Sequence, residues 1–293
     1  MTPGTALAAP AKVNLYLHVL GRRSDGYHLI DSLVAFAGLA DRVRLAPAAE
    51  FGLALSGPFA KGLDAGEGNL ALKAARALAA AAGLAARPMA IELEKNIPPA
   101  AGLGGGSADA AAVLKGLSRA WGVHDAVATH LAPRLGADVP VCLAGRPTFM
   151  AGMGEDLGPE VALPAAGLLL ANPRLSLDTA KVFAAFDAEH GEGAAQDGCP
   201  RPVLDPAPGD ARALAEALAA SANELTEAAL ELAPVVGQVR AAVAGLPGCR
   251  LARMSGSGAT CFGLFDDAGA AVTAAEALAA ARPGWWCWGG GFA

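Results

Sequence analysis

Residues 11–20, "AKVNLYLHVL", alternate strictly: Val13, Leu15, Leu17 and Val19 fall on one face, and Lys12, Asn14, Tyr16 and His18 on the other. A two-residue period predicts a β-strand with one buried side. "RVRLAP" and "MAIELEK" (Met89 to Lys95) read as further strands. Asn69 is placed to cap a helix that runs to about Ala82 and is ended by Gly83, since Asn before and Gly after a periodic run are terminus signals. Beyond the "IELEK" strand lies "NIPPAAGLGGGSADAAAVLKGL", Asn96 to Leu117. Its alanine-rich half predicts a helix from Ala108 to about Trp121.

"LGADVPVCLAG" and "RPTFMAGMGE" then predict a tight connection and another strand, followed by "LLLANP" (Leu168 to Pro173). Residues 191–210 are rich in Gly, Pro and Asp and predict a long exposed loop. Two helices follow, then strand, glycine turn and strand in "RLARMSGSGATCFGLF". A last alanine-rich helix leads to "GWWCWGGGFA". This mixture predicts an α+β protein of two domains meeting near residues 150–165.

Composition narrows the function classes. A chain of 293 residues suits about two domains. No apolar run approaches the ~18 residues that span a bilayer, and the start, "MTPGTALAAPAK", lacks a basic head followed by an apolar block; a cytoplasmic protein without a membrane partner is expected. Five cysteines (Cys142, Cys199, Cys249, Cys261, Cys287) without CxxC spacing predict reduced thiols. A net charge of −6 argues against nucleic acid as a partner, which calls for a basic stripe. It leaves room for a small anionic ligand held by local donors.

The glycines supply such donors. Gly102, Gly104, Gly105 and Gly106 precede Ser107 at the start of the predicted helix. Bare backbone N–H groups at a helix N-terminus, where the dipole adds roughly half a positive charge, form an anion site. The plain alternative is a tight strand-to-helix turn. Ser107 would cap the helix or offer its hydroxyl to a phosphate or metal. Neither GxxxxGK[ST] nor GxGxxG is present, so positive charge must come from elsewhere.

"PPAAGLGGGSADAAA" resembles the phosphate-binding motif of the GHMP kinase superfamily, named for galactokinase, homoserine kinase, mevalonate kinase and phosphomevalonate kinase. The triple glycine, "PAKVNLYLHVLGRRSDGYHLIDSL" (Pro10 to Leu33), "GADVPVCLAG" (Gly136 to Gly145) and "MSGSGATCFGLF" (Met254 to Phe265) are similar to one branch. Its members act on a cytidine diphosphate-linked methylerythritol. The resemblance implies a two-domain GHMP kinase fold: a ribosomal-protein-S5-like, ATP-binding N-terminal domain over 1–158, and a ferredoxin-like α/β sandwich over 159–293. The active site would lie in the cleft between them. It further implies ATP and Mg²⁺ as cofactors, phosphorylation of the substrate's 2-hydroxyl in non-mevalonate isoprenoid precursor synthesis, and a monomer or weak homodimer. Two positions depart from the pattern: Ala108 stands where a second serine is usual, and "NEL" at Asn223 replaces Asn-Asp.

Carried onto this chain, the ATP loop comprises Pro98, Pro99, Ala100, Ala101, Gly102, Leu103, Gly104, Gly105, Gly106, Ser107 and Ala108. Asn69 and Lys95 would flank the adenine, or serve only as helix cap and exposed strand end. Asp138 would be the base that takes the acceptor proton; the local sequence equally suits an N-cap before Val139–Pro140. Lys12 would contact Asp138 and the acceptor hydroxyl with Asn14 orienting them, the alternative for Lys12 being a solvated lysine on a strand face. Tyr27 and His28 would meet the cytosine, with Phe183 closing a sandwich and Thr179 adding a contact; the plain readings are a packed turn for the first two and a helix core residue for Phe183. For Arg22 and Arg23, substrate diphosphate and solvent both stay open. The rivals are another GHMP kinase acting on an alcohol without cytidine, and a catalytically silent ATP-binding paralogue. Tyr27–His28 and the triple glycine oppose the first; the presence of Lys12 and Asp138 opposes the second.

Overall fold

A computed structural model describes residues 6–84, 87–191, 201–204 and 207–293. The chain divides into two compact units, each assembled from separate stretches of sequence. One holds residues up to Lys12, Leu39–Pro99 and Gly104–Gly145; the other holds Val13–Gly38, Ala100–Leu103 and Arg146–Ala293. Two long strands, β1 (Leu7–Arg22) and β2 (His28–Pro47), pair with each other and contribute to both units.

In the first unit the C-terminal half of β2 is joined by β3 (Gly52–Ser56), α1 (Leu70–Ala81), β4 (Met89–Glu94), α2 (Gly105–Trp121), α3 (Asp125–Leu135) and α4 (Val139–Ala144). β4 runs antiparallel to β2, with Arg42 opposite Glu94, and parallel to β3. α1 packs along α2, α3 lies against both, and α4 packs on α2 and α3. Asn69 caps α1 as expected, its side chain accepting from the Ala71 amide. "RVRLAP" is not a separate strand but the end of the 20-residue β2.

In the second unit the N-terminal half of β2 pairs with β5 (Thr148–Gly152), which turns back into β6 (Asp156–Glu160). After β7 (Gly167–Asn172) come α5 (Thr179–His190), α6 (Ala211–Leu218), α7 (Thr226–Leu232), α8 (Val235–Ala244), β8 (Leu251–Met254), β9 (Cys261–Phe265), α9 (Ala268–Ala281) and β10 (Trp286–Gly291). β7 to β10 make an antiparallel sheet in the order β10-β7-β9-β8. α9 lies against β7 and β10, and α8 against β8 and β9. Every residue of β7 is buried, as the unbroken "GLLLAN" run requires of a central strand covered on both sides. "GWWCWGGGFA", left unassigned by its pattern, supplies the edge strand β10. Most of the predicted 191–210 loop lies outside the described residues.

Three local expectations change. α2 starts at Gly105 rather than Ala108, with Gly104 at its N-cap in the left-handed region (φ +63°). Ser107 therefore sits inside the first turn and caps nothing. β1 is covered on both faces: Lys12, Asn14, Tyr16 and His18 are as buried as the apolar residues between them. Their polar ends find partners, which makes that burial tolerable.

Candidate active site

The glycine loop is fixed by contacts that a side chain would destroy. Gly102 (φ +77°) lies so near the carbonyls of Ser255 and Gly258 that a Cβ would come within 2.5 and 2.8 Å of them. At Gly104 a Cβ would come within 2.6 Å of the Lys12 Cγ. Both positions thus need glycine for space as well as for backbone angle. Around Gly102 the loop is tied down by Ser255, whose hydroxyl donates to the Gly102 carbonyl (3.1 Å) and accepts from the Asn14 amide (3.1 Å). Asn223 braces the same turn, donating to the Met254 and Gly256 carbonyls. The neighbouring Glu224 carboxylate accepts from the Val19 amide, so the "NEL" departure still leaves a carboxylate that holds backbone.

Within the loop Pro98, Ala101 and Leu103 are buried, Pro99, Ala100 and Gly106 are exposed, and Gly104, Gly105 and Ser107 are half-buried. The Ala108 amide bonds the Gly104 carbonyl (2.9 Å) and is committed to the helix. Helix geometry leaves the amides of Gly105, Gly106 and Ser107 without a carbonyl one turn earlier. These three amides form the open N-terminal end of α2.

Lys12 and Asp138 belong to the same unit and meet at 3.2 Å (Nζ to Oδ2). Asp138 occupies the N-cap position of α4, yet its side chain makes no capping bond. Its carboxylate meets the lysine instead of capping the helix. The Lys12 side chain is only 6% exposed while that of Asp138 is 30% exposed, so the pair opens to solvent on the carboxylate side. The Lys12 stem runs beneath Gly104, linking this pair to the start of α2. Nearby Cys142 is buried on α4, and burial pushes its thiol far above the usual range, which makes it a poor nucleophile.

Lys95 is not an exposed strand end. Its ammonium is buried between the carboxylates of Asp41 and Asp109. Asp41 also accepts the amides of Asn96 and Ile97, which lead into the loop. Burial and the neighbouring Asp41, opposed by Lys95, push the Asp109 carboxyl up to about 7, and its Oδ1 has no partner. Asn69 is likewise engaged, donating to the Asp64 carbonyl (2.8 Å) and capping α1. Both residues hold backbone in place. Sequence reasoning missed Asp41 and Asp109, whose partners lie 54 and 14 positions away.

The second unit gathers Tyr27, His28, Thr179, Phe183 and Asn14. Asn14 donates to the Ser32 hydroxyl (2.8 Å) and is fully buried. Tyr27 is 61% exposed, while His28 lies inward with its ring stacked on Phe183 (4.4 Å between centroids, 19° between planes). That spacing leaves no room for a base between His28 and Phe183, so a sandwich needs Tyr27 as one of its faces. Thr179 exchanges a hydrogen bond with Ser257 (2.8 Å) in the glycine turn between β8 and β9. His28 Nε2 meets Asp187 Oδ1 at 2.8 Å, and Arg22 reaches Oδ2 of the same carboxylate at 3.2 Å. Arg23 instead pairs with Asp25 at the surface. Asp187 was not singled out from sequence, although Thr179, Phe183 and Asp187 are spaced by four on one helix face.

The sequence was also compared with known proteins. The GHMP kinases N terminal domain matches residues 69–146, and the GHMP kinases C terminal domain matches residues 201–283. A 4-diphosphocytidyl-2-C-methyl-D-erythritol kinase of Paramagnetospirillum magneticum is 53% identical over 283 residues, 96% of each chain. Its counterpart in Cereibacter sphaeroides is 53% identical over 285 residues, 96% of this chain and 97% of the other. A crystal structure of 4-(cytidine 5'-diphospho)-2C-methyl-D-erythritol kinase superposes with a TM-score of 0.78 at 37% identity, covering 98% of this chain and 99% of that one. Homoserine kinase from Cytophaga hutchinsonii, at a TM-score of 0.67 and 17% identity over 97% and 93% of the two chains, shares the fold. Motifs, architecture and near-complete coverage by close relatives agree: the chain belongs to the GHMP kinases, in the family of the 4-diphosphocytidyl-2-C-methyl-D-erythritol kinases.

Proposed function

We propose that this chain transfers the terminal phosphoryl group of ATP to the 2-hydroxyl of 4-diphosphocytidyl-2-C-methyl-D-erythritol, a step of non-mevalonate isoprenoid precursor synthesis. The observation that carries the reading is the Lys12–Asp138 pair beside Gly104, with an aspartate that leaves its helix uncapped to face a buried lysine. Such transfer calls for phosphates held, charge offset and an alcohol aimed in line. Pro98 to Ser107 form the cradle, and the amides of Gly105, Gly106 and Ser107 face the phosphates. Asp138 takes the proton of the 2-hydroxyl as its oxygen bonds to phosphorus and ADP leaves. Lys12 offsets charge at the acceptor oxygen, and Asn14, two residues along β1, keeps that strand in place through Ser32 and Ser255. Tyr27, His28, Phe183 and Thr179 hold the cytidyl end. Asn69 and Lys95 act on the ATP side through the segments they fix.

The donor set suits Mg²⁺, which takes one or two protein oxygens together with phosphates and waters rather than a protein cage. Ser107, in the first turn of α2, would offer it a hydroxyl oxygen, and bound Mg²⁺ would neutralise phosphate charge. A division of the sequence near residue 158 would leave one family match on either side, while the compact units themselves interleave along the chain. A cytoplasmic setting suits both ATP and the free thiols of Cys142, Cys249, Cys261 and Cys287.

The test is ADP release by purified protein with ATP and Mg²⁺, comparing the cytidyl-methylerythritol with homoserine and mevalonate. Turnover with the cytidyl compound alone is expected. Turnover with another alcohol instead would overturn the assignment of Tyr27 and His28. Silence with all three, from folded protein that binds ATP, would make the chain a non-catalytic binder.

A further inference from the structure

We propose that Asp187 is a positioning residue for base recognition: it fixes the Nε2–H tautomer of His28 and leaves Nδ1 as an acceptor suited to the exocyclic amine of cytosine. The inference deepens the reading above and rests on its placement of the base at Tyr27–His28. An ionised carboxylate can only accept, so the nitrogen facing it must carry the proton. That nitrogen is Nε2, 2.8 Å from Asp187 Oδ1. In a neutral imidazole the other nitrogen is then an acceptor, because the hydrogen bond made by one ring nitrogen decides the state of the other.

Three features make the arrangement specific. The side chains of His28 and Asp187 are only 8% and 11% exposed, so water competes poorly for their hydrogen bond. Phe183, one helical turn before Asp187, stacks on the same imidazole, so the ring is held both across its face and in its plane. Arg22 joins Asp187 Oδ2 (3.2 Å) and donates through Nε to the Gly26 carbonyl (3.1 Å). The carboxylate therefore already has a cation in Arg22 and needs none from His28 for charge balance. Cytosine presents an amino donor where uracil presents a carbonyl acceptor. An Nδ1 lone pair attracts the first and repels the second, and a buried site loses affinity for a ligand that leaves its polar groups unpaired.

Two measurements test this. Long-range ¹H–¹⁵N spectra of the wild-type chain, with the His28 signals identified among five histidines by their loss in His28→Gln, should show protonation at Nε2 alone at neutral pH. Calorimetry with cytidine 5'-diphosphate and uridine 5'-diphosphate should show a preference for the cytidine compound of about tenfold or more. Asp187→Asn, whose amide can turn its donor to the ring, should bring that ratio to within about threefold while ATP affinity holds. An Nδ1–H or imidazolium signature in the wild type, or an unchanged ratio in Asp187→Asn, would overturn the inference. The spectra need no turnover: an Nε2–H ring in a chain inert toward the cytidyl substrate would count against the proposed function, whereas full turnover with the wrong tautomer would count against Asp187 alone.

Discussion

Lys12 and Lys95 lie in the same unit, and each sets an ammonium against carboxylate, but to different ends. Lys12 faces Asp138, which keeps part of its side chain in solvent. Lys95 is sealed between two acids, Asp41 and Asp109, both buried. The open pair is the one we propose takes the proton of a bound alcohol. The sealed cluster joins the end of β4, the Asn96–Ile97 amides and the first turns of α2. Exposure of the acid, rather than the presence of a lysine–aspartate pair, is what distinguishes the proposed catalytic pair from the buried cluster.

The comparison is broken most sharply at Asp138. Asp138→Asn should lower kcat by about 10²-fold or more through loss of the general base, with ATP affinity and the melting temperature little changed. Turnover near the wild-type rate would remove Asp138 from the mechanism and make the two lysine sites alike. Lys95→Met should do the reverse. Two buried acids would lose their cation, at a cost of about 3–5 kcal/mol in unfolding free energy, read by chemical denaturation. A variant of undiminished stability would contradict the sealed cluster.

Gly104→Ala lies between the two behaviours. The left-handed backbone alone costs roughly 1–2 kcal/mol, and the added methyl presses on the Lys12 stem. Activity should therefore fall further than stability, in paired kcat and denaturation measurements. The smallest effect is on pH dependence. Because the folded Asp109 carboxyl is raised to about 7 from an ordinary value near 3.8, the folded state holds a proton that the unfolded chain has released between those values. Its contribution to stability is thus full below about pH 4 and lost as pH rises through about 7. Asp109→Asn should remove that part of the slope, and an unchanged pH–stability profile would count against it.

Much of this was legible in the chain. Alternation gave β1, the cap at Asn69 gave α1, and the glycine run located the loop. Single-strand periodicity could not reveal that the polar face of β1 is buried, because its covers come from far away: Ser255 reaches Asn14 across 241 positions. The start of α2 moved to Gly105 because glycine, a poor helix former by propensity, is tolerated where Lys12, Ile97 and Asp41 crowd the first turn. Asp187 shows the converse: the spacing was in view, but its meaning appeared only once the turn holding His28 packed against α5.

The two tyrosines of the chain are chemically unequal. Tyr16 is sealed, its hydroxyl on Asp31 and its phenolate strongly disfavoured by burial and that carboxylate, whereas Tyr27 stands out from the turn beside His28. A nitrating reagent would therefore mark one ring and leave the other untouched. Nitration at Tyr27 would thus set a spectroscopic probe in the turn before β2, where we propose that a nucleobase docks.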